Sequence, residues 1–201
     1  MRNTAIAAAL LVLIAVPQAA ALPNIAEIKA ELTGKKKRTT VVTTVVKPAQ
    51  PPLAVIDANS FEGRLLGAHN AERKRMGIAP LAWNRDLAGQ AGSWAQTLAT
   101  KARFEHSKNR SDVGENLWMG TSGYFSPEAM IGSFVGEKQY FRRGKFPDVS
   151  TTGNWSDVGH YTQLIWPGTK EVGCTKATGK GNDVLVCRYA PAGNVIGQQV
   201  P

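Results

Sequence analysis

The sequence of 201 residues holds two cysteines, three histidines and a single long apolar run, and each scarcity excludes something. Cys174 and Cys187 allow at most one disulfide, and two residues alone make a poor metal site. The apolar run, residues 5–16, spans 12 positions, too few to cross a bilayer core of about 30 Å as a helix. There is no His-Glu-x-x-His helix and no nucleophile elbow, so two common hydrolase signatures are missing. Beyond residue 57 no Lys/Arg run exceeds the three residues Arg73-Lys74-Arg75, and there is no helix-turn-helix or RNA-binding signature, so nucleic acid is not an expected partner. The formal charge of +9 divides unevenly. Residues 22–57 carry six Lys/Arg against three acids, residues 58–201 carry 17 against 12, and Arg2 supplies the rest. The folded part is therefore mildly basic, enough for unspecific attraction to an anionic envelope surface.

What is present begins with a leader. Arg2, the apolar run and Ala19-Ala20-Ala21 after Pro17-Gln18 have the layout of a secretory signal peptide over residues 1–21. No cysteine near the cleavage point offers lipid attachment. The expectation is a secreted protein, extracellular or periplasmic, with no transmembrane segment after signal cleavage. Residues 22–57 read as a basic, Thr/Val/Pro-rich disordered linker, with Lys35-Lys36-Lys37-Arg38, a doubled Thr-Thr-Val-Val and Lys47-Pro48-Ala49-Gln50-Pro51-Pro52. Residues 58–201 form the domain.

Within it, Asn59 or Ser60 can cap a helix running to about Met76, with Gly77 as its stop and Phe61, Leu65, Ala68 and Met76 on one face. His69, in His-Asn-x-x-Arg with Asn70 and Arg73, reads as a hydrogen-bonded packing residue on that face. A connector over residues 80–84 ends at Asn84, which can cap a second helix with a core stripe of Leu87, Ala91, Trp94, Ala95 and Leu98. Ser126-Pro127-Glu128 opens a third, on which Glu137 follows Met130 and Phe134. A carboxylate there needs a partner or must reach water at the stripe's edge. Residues 144–153 read as a loop and 190–197 as a turn-rich ending. The turn Gly179-Lys180-Gly181-Asn182 separates two strand-like runs, and folding about Lys180-Gly181 sets Cys174 opposite Cys187, which predicts a disulfide in an oxidising compartment. Residues 159–166, Gly-His-Tyr-Thr-Gln-Leu-Ile-Trp, read in period two, putting His160, Thr162, Leu164 and Trp166 on one face. Helices first and antiparallel strands after indicate an α+β fold.

Four of these segments, in order, carry a resemblance: His69-Asn70-x-x-Arg73; Gly114-Glu115-Asn116; Gly159-His160-Tyr161-Thr162-Gln163-Leu164-Ile165-Trp166; and Cys187-Arg188-Tyr189-x-Pro191-x-Gly193-Asn194. Together they resemble the CAP superfamily, or SCP domain family, which includes cysteine-rich secretory proteins, insect venom antigen five and plant pathogenesis-related proteins of group one. The resemblance implies a three-layer α-β-α sandwich. It also implies a cleft holding two histidines and two acids, which by motif position are His106, Glu115, Glu137 and His160. The cysteine-rich extensions of many relatives are missing, so functions tied to them do not transfer.

Neutral imidazole is a good zinc ligand, and a neighbouring carboxylate can fix its tautomer. His106 and His160 are therefore candidate ligands for a divalent metal such as zinc, with the two glutamates behind them. The preferred expectation is an extracellular binding module, taking a lipid, a sterol or a cell-envelope component as ligand, and not an enzyme. The alternatives are a metal-dependent hydrolase or protease using the same cleft, and a precursor of a C-terminal signalling peptide drawn from residues 191–201.

Overall fold

The computed structural model describes residues 56–108, 110 and 112–201. The signal peptide expected over residues 1–21, and the linker up to residue 55, lie outside the described residues.

The helix starts follow from their caps. Ser60 Oγ accepts from Gly63 N at 3.0 Å and opens α1 (Phe61–Arg75), which Gly77 ends in the left-handed region at φ 69°. Asn84 accepts from Asp86 N and Leu87 N and opens α2 (Arg85–Lys101). Ser126 caps α3 (Pro127–Gly136), with Pro127 in its first turn. Each cap satisfies donors that no residue inside the helix can reach.

The sheet is organised by its hairpin. β4 (Glu171–Gly179) and β5 (Asn182–Ala190) are joined by Lys180 and Gly181, both at positive φ, as a two-residue type I′ turn requires. This register places Cys174 directly opposite Cys187, and the two form a disulfide. β2 (Gly114–Thr121) pairs antiparallel with the far side of β5, and β1 (Ala82–Trp83) pairs parallel with β4, giving the order β1-β4-β5-β2. The connector expected at residues 80–84 thus contains an edge strand, and the sheet is mixed rather than wholly antiparallel. Two residues are too few for periodicity to announce a strand.

Alternation along the strands separates two apolar layers. Leu117, Val184 and Val186 face α2, where Ala91, Ala95, Leu98 and Ala99 cover them. Trp118, Leu185, Cys187 and Tyr189 face the other way, into a larger cluster with Leu65, Met130, Phe134, Leu164 and Trp166. Helices on both faces of one sheet make the three-layer α-β-α sandwich. Burying each leucine contributes about 1.5–3 kcal/mol, whereas a 17-residue helix alone is marginal in water, so the sheet holds α2 in place. Gly173 lets it come close: a Cβ there would stand 2.3 Å from Ala88 N and 2.4 Å from Asn84 O.

The segment read as a loop at residues 144–153 begins with a short strand, β3 (Gly144–Lys145). It pairs with β6 (Gln199–Val200), and Val200 is fully buried. After the turn-rich ending, which stays at the surface, the chain thereby returns to the core at Val200.

Candidate functional site

Residues 159–166 do not form the period-two strand expected of them. Gly159–Leu164 form a helix, α4, following a 3₁₀ turn at Trp155–Val158. Six residues have little helical stability of their own, and the ends of this helix are satisfied from elsewhere. Glu137 Oε2 accepts from His160 N (2.9 Å) and Tyr161 N (3.0 Å) at the start. Asn194 Nδ2 donates to Gly159 O at 2.9 Å, and its Oδ1 accepts from Thr162 Oγ1 at 2.7 Å. Arg73 Nη1 donates to both Leu164 O and Trp166 O at 2.9 Å, and Gln163 Oε1 accepts from Gly193 N at 2.8 Å. Leu164, Ile165 and Trp166 are all buried, so the apolar end anchors the segment as expected.

The four residues expected to share a cleft meet two by two. His160 Nδ1 lies 2.5 Å from Glu137 Oε1, its ring stacked on Phe134 with centroids 5.0 Å apart. Glu137 stands where α3 passes into a 3₁₀ turn (Glu137–Tyr140), which aims its carboxylate at α4. The choice left open for Glu137 resolves in favour of a partner. His106 Nδ1 lies 2.7 Å from Glu115 Oε1, which also accepts from Ser107 N at 3.0 Å. Glu115 Oε2 faces Arg188 Nη2 at 3.1 Å as an ion pair. The Glu115 side chain is wholly buried, while His106 is 46% and His160 32% exposed. Neither Nε2 has a hydrogen-bond partner among the described residues.

The pairs sit at one end of β2. Asn116, the residue after Glu115, donates from Nδ2 to His160 O at 3.0 Å. Gly114, the residue before it, has no room for a side chain, since a Cβ would lie 1.9 Å from Gln163 Oε1.

Behind α4 runs a buried network that explains the remaining motif residues. Asn116 Nδ2 also donates to Tyr189 Oη (3.2 Å), which donates to His69 Nε2 (2.8 Å), whose Nδ1–H donates to Leu65 O (2.8 Å). His69 is thus a packing residue, as expected. Burial lowers its pKa to about 4, the Leu65 carbonyl opposing and the Arg73 charge assisting. Burial likewise pushes the Tyr189 phenol above its usual range. Asn70 clamps the chain after α1, exchanging hydrogen bonds with Leu81 N and O. Pro191 O accepts from Thr169 Oγ1, itself hydrogen-bonded to Gln163 Nε2. Among the described residues, only His69, Cys174 and Cys187 form a trio with potential ligand atoms within 4.8 Å of one another. Both sulfurs are tied up in the disulfide and both His69 nitrogens in hydrogen bonds, so that trio is structural.

The roles of two residues escaped the sequence reading. Glu72 is buried, accepting from Tyr161 Oη (2.9 Å) and Lys138 Nζ (3.2 Å) and pairing with Arg75. Its signal was an acid one turn from His69 inside the first motif. Arg188 is the cross-strand partner of Glu115 in the β2–β5 pairing, a contact between distant segments that the hairpin register does not fix.

Comparison with known proteins bears on the family and the fold. The model of the cysteine-rich secretory protein family, CAP, matches residues 66–189. Pathogenesis-related protein 1B of Nicotiana tabacum is 35% identical over 142 residues, covering 70% of this chain and 81% of that protein. Pathogenesis-related protein 1 of Arabidopsis thaliana is 33% identical over 145 residues, covering 72% and 84%. Among solved structures, NaASP2, crystallised with Zn2+, superposes with a TM-score of 0.59 at 24% identity, covering 68% of this chain and 82% of its own. The venom allergen-like protein 4 of Schistosoma mansoni gives 0.54 at 20% identity, covering 71% and 96%.

Proposed function

Because this chain belongs to the cysteine-rich secretory protein family, we propose that it is an exported binding protein whose two His–Glu pairs present imidazoles to a divalent metal ion. The observation that carries this reading is the shared arrangement of the pairs. In each, Nδ1 is held on a carboxylate, so Nδ1–H is donated and Nε2 keeps its lone pair on a partly exposed ring. His106 and His160 would hold the ion. Two imidazoles leave coordination positions open, so binding is modest and exchangeable. A bound ion supplies positive charge and open positions that a ligand oxygen can take.

The same geometry favours binding over hydrolysis. A general base needs a free lone pair within reach of the proton it takes. Glu115 Oε1 is engaged with His106 and Ser107 N, while Oε2 is buried against Arg188 and closed to solvent, and both Glu137 oxygens are engaged with His160 and Tyr161 N. These carboxylates orient the imidazoles. The peptide-precursor reading is disfavoured because β6 is paired and Val200 is core, so release of the tail would open the domain. Export rests on the leader read in residues 1–21, and a lipid or envelope ligand on the family resemblance. NaASP2 was crystallised with Zn2+, which makes zinc the first ion to test.

Calorimetry is expected to show zinc binding that weakens about tenfold or more in either His106→Ala or His160→Ala, and that falls on acidification because protons compete for the imidazoles. Zinc binding unchanged in the double variant would contradict the proposal.

A further inference from the structure

The sheet order β1-β4-β5-β2 leaves two outer strands, of which β1 has two residues and β2 has eight. A long outer strand invites pairing with another chain, and proteins commonly blunt it with lysine, proline, a bulge or a covering element. β2 has no lysine, arginine or proline, its register with β5 runs without a bulge, and its single acid, Glu115, is buried. α2 packs chiefly over β4 and β5 and does not wrap around the outer side of β2.

The hydrogen-bonding phase shows which groups face outward. Ser122 N donates to Gly181 O at 3.0 Å, so in the β2–β5 register Asn116, Trp118 and Gly120 bond to β5. Leu117 and Met119 therefore turn their N–H and C=O away from the sheet, where no other strand of the described residues lies. Both flanks of this edge are apolar. On the face of Leu117, Met119 is 45% exposed. On the face of Trp118, the Phe125 ring meets Trp118 at 5.0 Å and Tyr124 at 5.1 Å, and Tyr124 is 79% exposed.

We infer that a second copy of this chain covers this edge, its β2 pairing antiparallel with the first about a two-fold axis at Trp118. Leu117 then lies opposite the partner's Met119 and Met119 opposite the partner's Leu117, and the outward groups exchange four hydrogen bonds. Glu115 falls opposite the partner's Thr121, so no like charges meet across the strands, and the two Trp118 rings face each other. The strand is thus its own complement in phase, charge and apolar flanks, which is what selects a copy of this chain. Neither His106 nor His160 takes part, so the inference stands apart from the metal reading. At about 3.4 Å per residue, the pairing sets the two Glu115 residues about 20 Å apart, one His–Glu pair toward each end of the joined edge.

The test is sedimentation velocity of the full chain in EDTA between about 1 µM and 1 mM, with amide hydrogen exchange at both ends of that range. The expected result is a monomer–dimer equilibrium in which the Leu117 and Met119 amides are at least tenfold better protected at the high concentration. The Trp118 amide, already paired with β5, should be protected equally at both. Met119→Lys, at an exposed side chain, should raise the dissociation constant at least tenfold and leave the thermal midpoint of the monomer unchanged. A monomer throughout, a dimer that leaves the Leu117 and Met119 amides unprotected, or an undiminished dimer in Met119→Lys overturns the proposal.

Discussion

Arg73→Met is expected to destabilise the domain by about 3 kcal/mol, read as a fall of roughly 10 °C in thermal midpoint. Arg73 is fully buried with no carboxylate partner among the described residues, and its guanidinium is solvated by four backbone carbonyls instead. Nε donates to Ala79 O (2.8 Å), Nη1 to Leu164 O and Trp166 O, and Nη2 to Thr169 O (3.1 Å). Burial lowers its pKa to about 10, still far above neutrality, so it remains charged. Methionine fills much of the volume but leaves those oxygens without donors, and α4 loses the residue that closes its C-terminal end. Arg73→Lys should recover only part of the loss, because an ammonium cannot span the same fork. A change below 1 kcal/mol in Arg73→Met would mean that water replaces the guanidinium at no net cost.

The second large effect is a loss of stability in mild acid. His69 has a folded pKa of about 4 against an ordinary value of 6.5. Between those values the unfolded chain binds a proton that the folded one does not. The stability His69 contributes is therefore complete above pH 6.5 and is lost as pH falls toward 4, amounting to about 3 kcal/mol. Denaturant unfolding from pH 7 to 4 should show the decline, and His69→Gln should flatten it. Asp183 acts in a lower window. Burial alone would raise its pKa, but hydrogen bonds from Lys176, Thr178 and Gly123 N hold it at about 2. Its contribution is lost only below the ordinary carboxylate range. An unchanged slope in His69→Gln would place the acid sensitivity elsewhere.

Legibility in the sequence followed the range of the interaction that decides each element. The caps at Ser60, Asn84 and Ser126 act within three residues of themselves, and all were readable. The hairpin was readable because a two-residue turn fixes its register, which in turn fixes the disulfide. Helix α4 was misread because its polar and apolar residues happen to alternate. Its helical state is set by Glu137, Arg73 and Asn194, at sequence distances that no periodicity encodes. β1, β3 and β6 have two residues each and leave no pattern. At the site, motif position pointed to His106, Glu115, Glu137 and His160, but not to the way each carboxylate meets an imidazole and a backbone N–H, with Arg188 behind Glu115. Those contacts orient the two imidazoles.

Long-range proton–nitrogen NMR of the histidine rings reads the two Nε2 atoms directly. His106 and His160 are both expected to carry their proton on Nδ1 near neutral pH, and added zinc is expected to move the Nε2 resonances of these two rings and leave His69 unmoved. Protons on Nε2 in the metal-free protein, or zinc shifts confined to other residues, would contradict it.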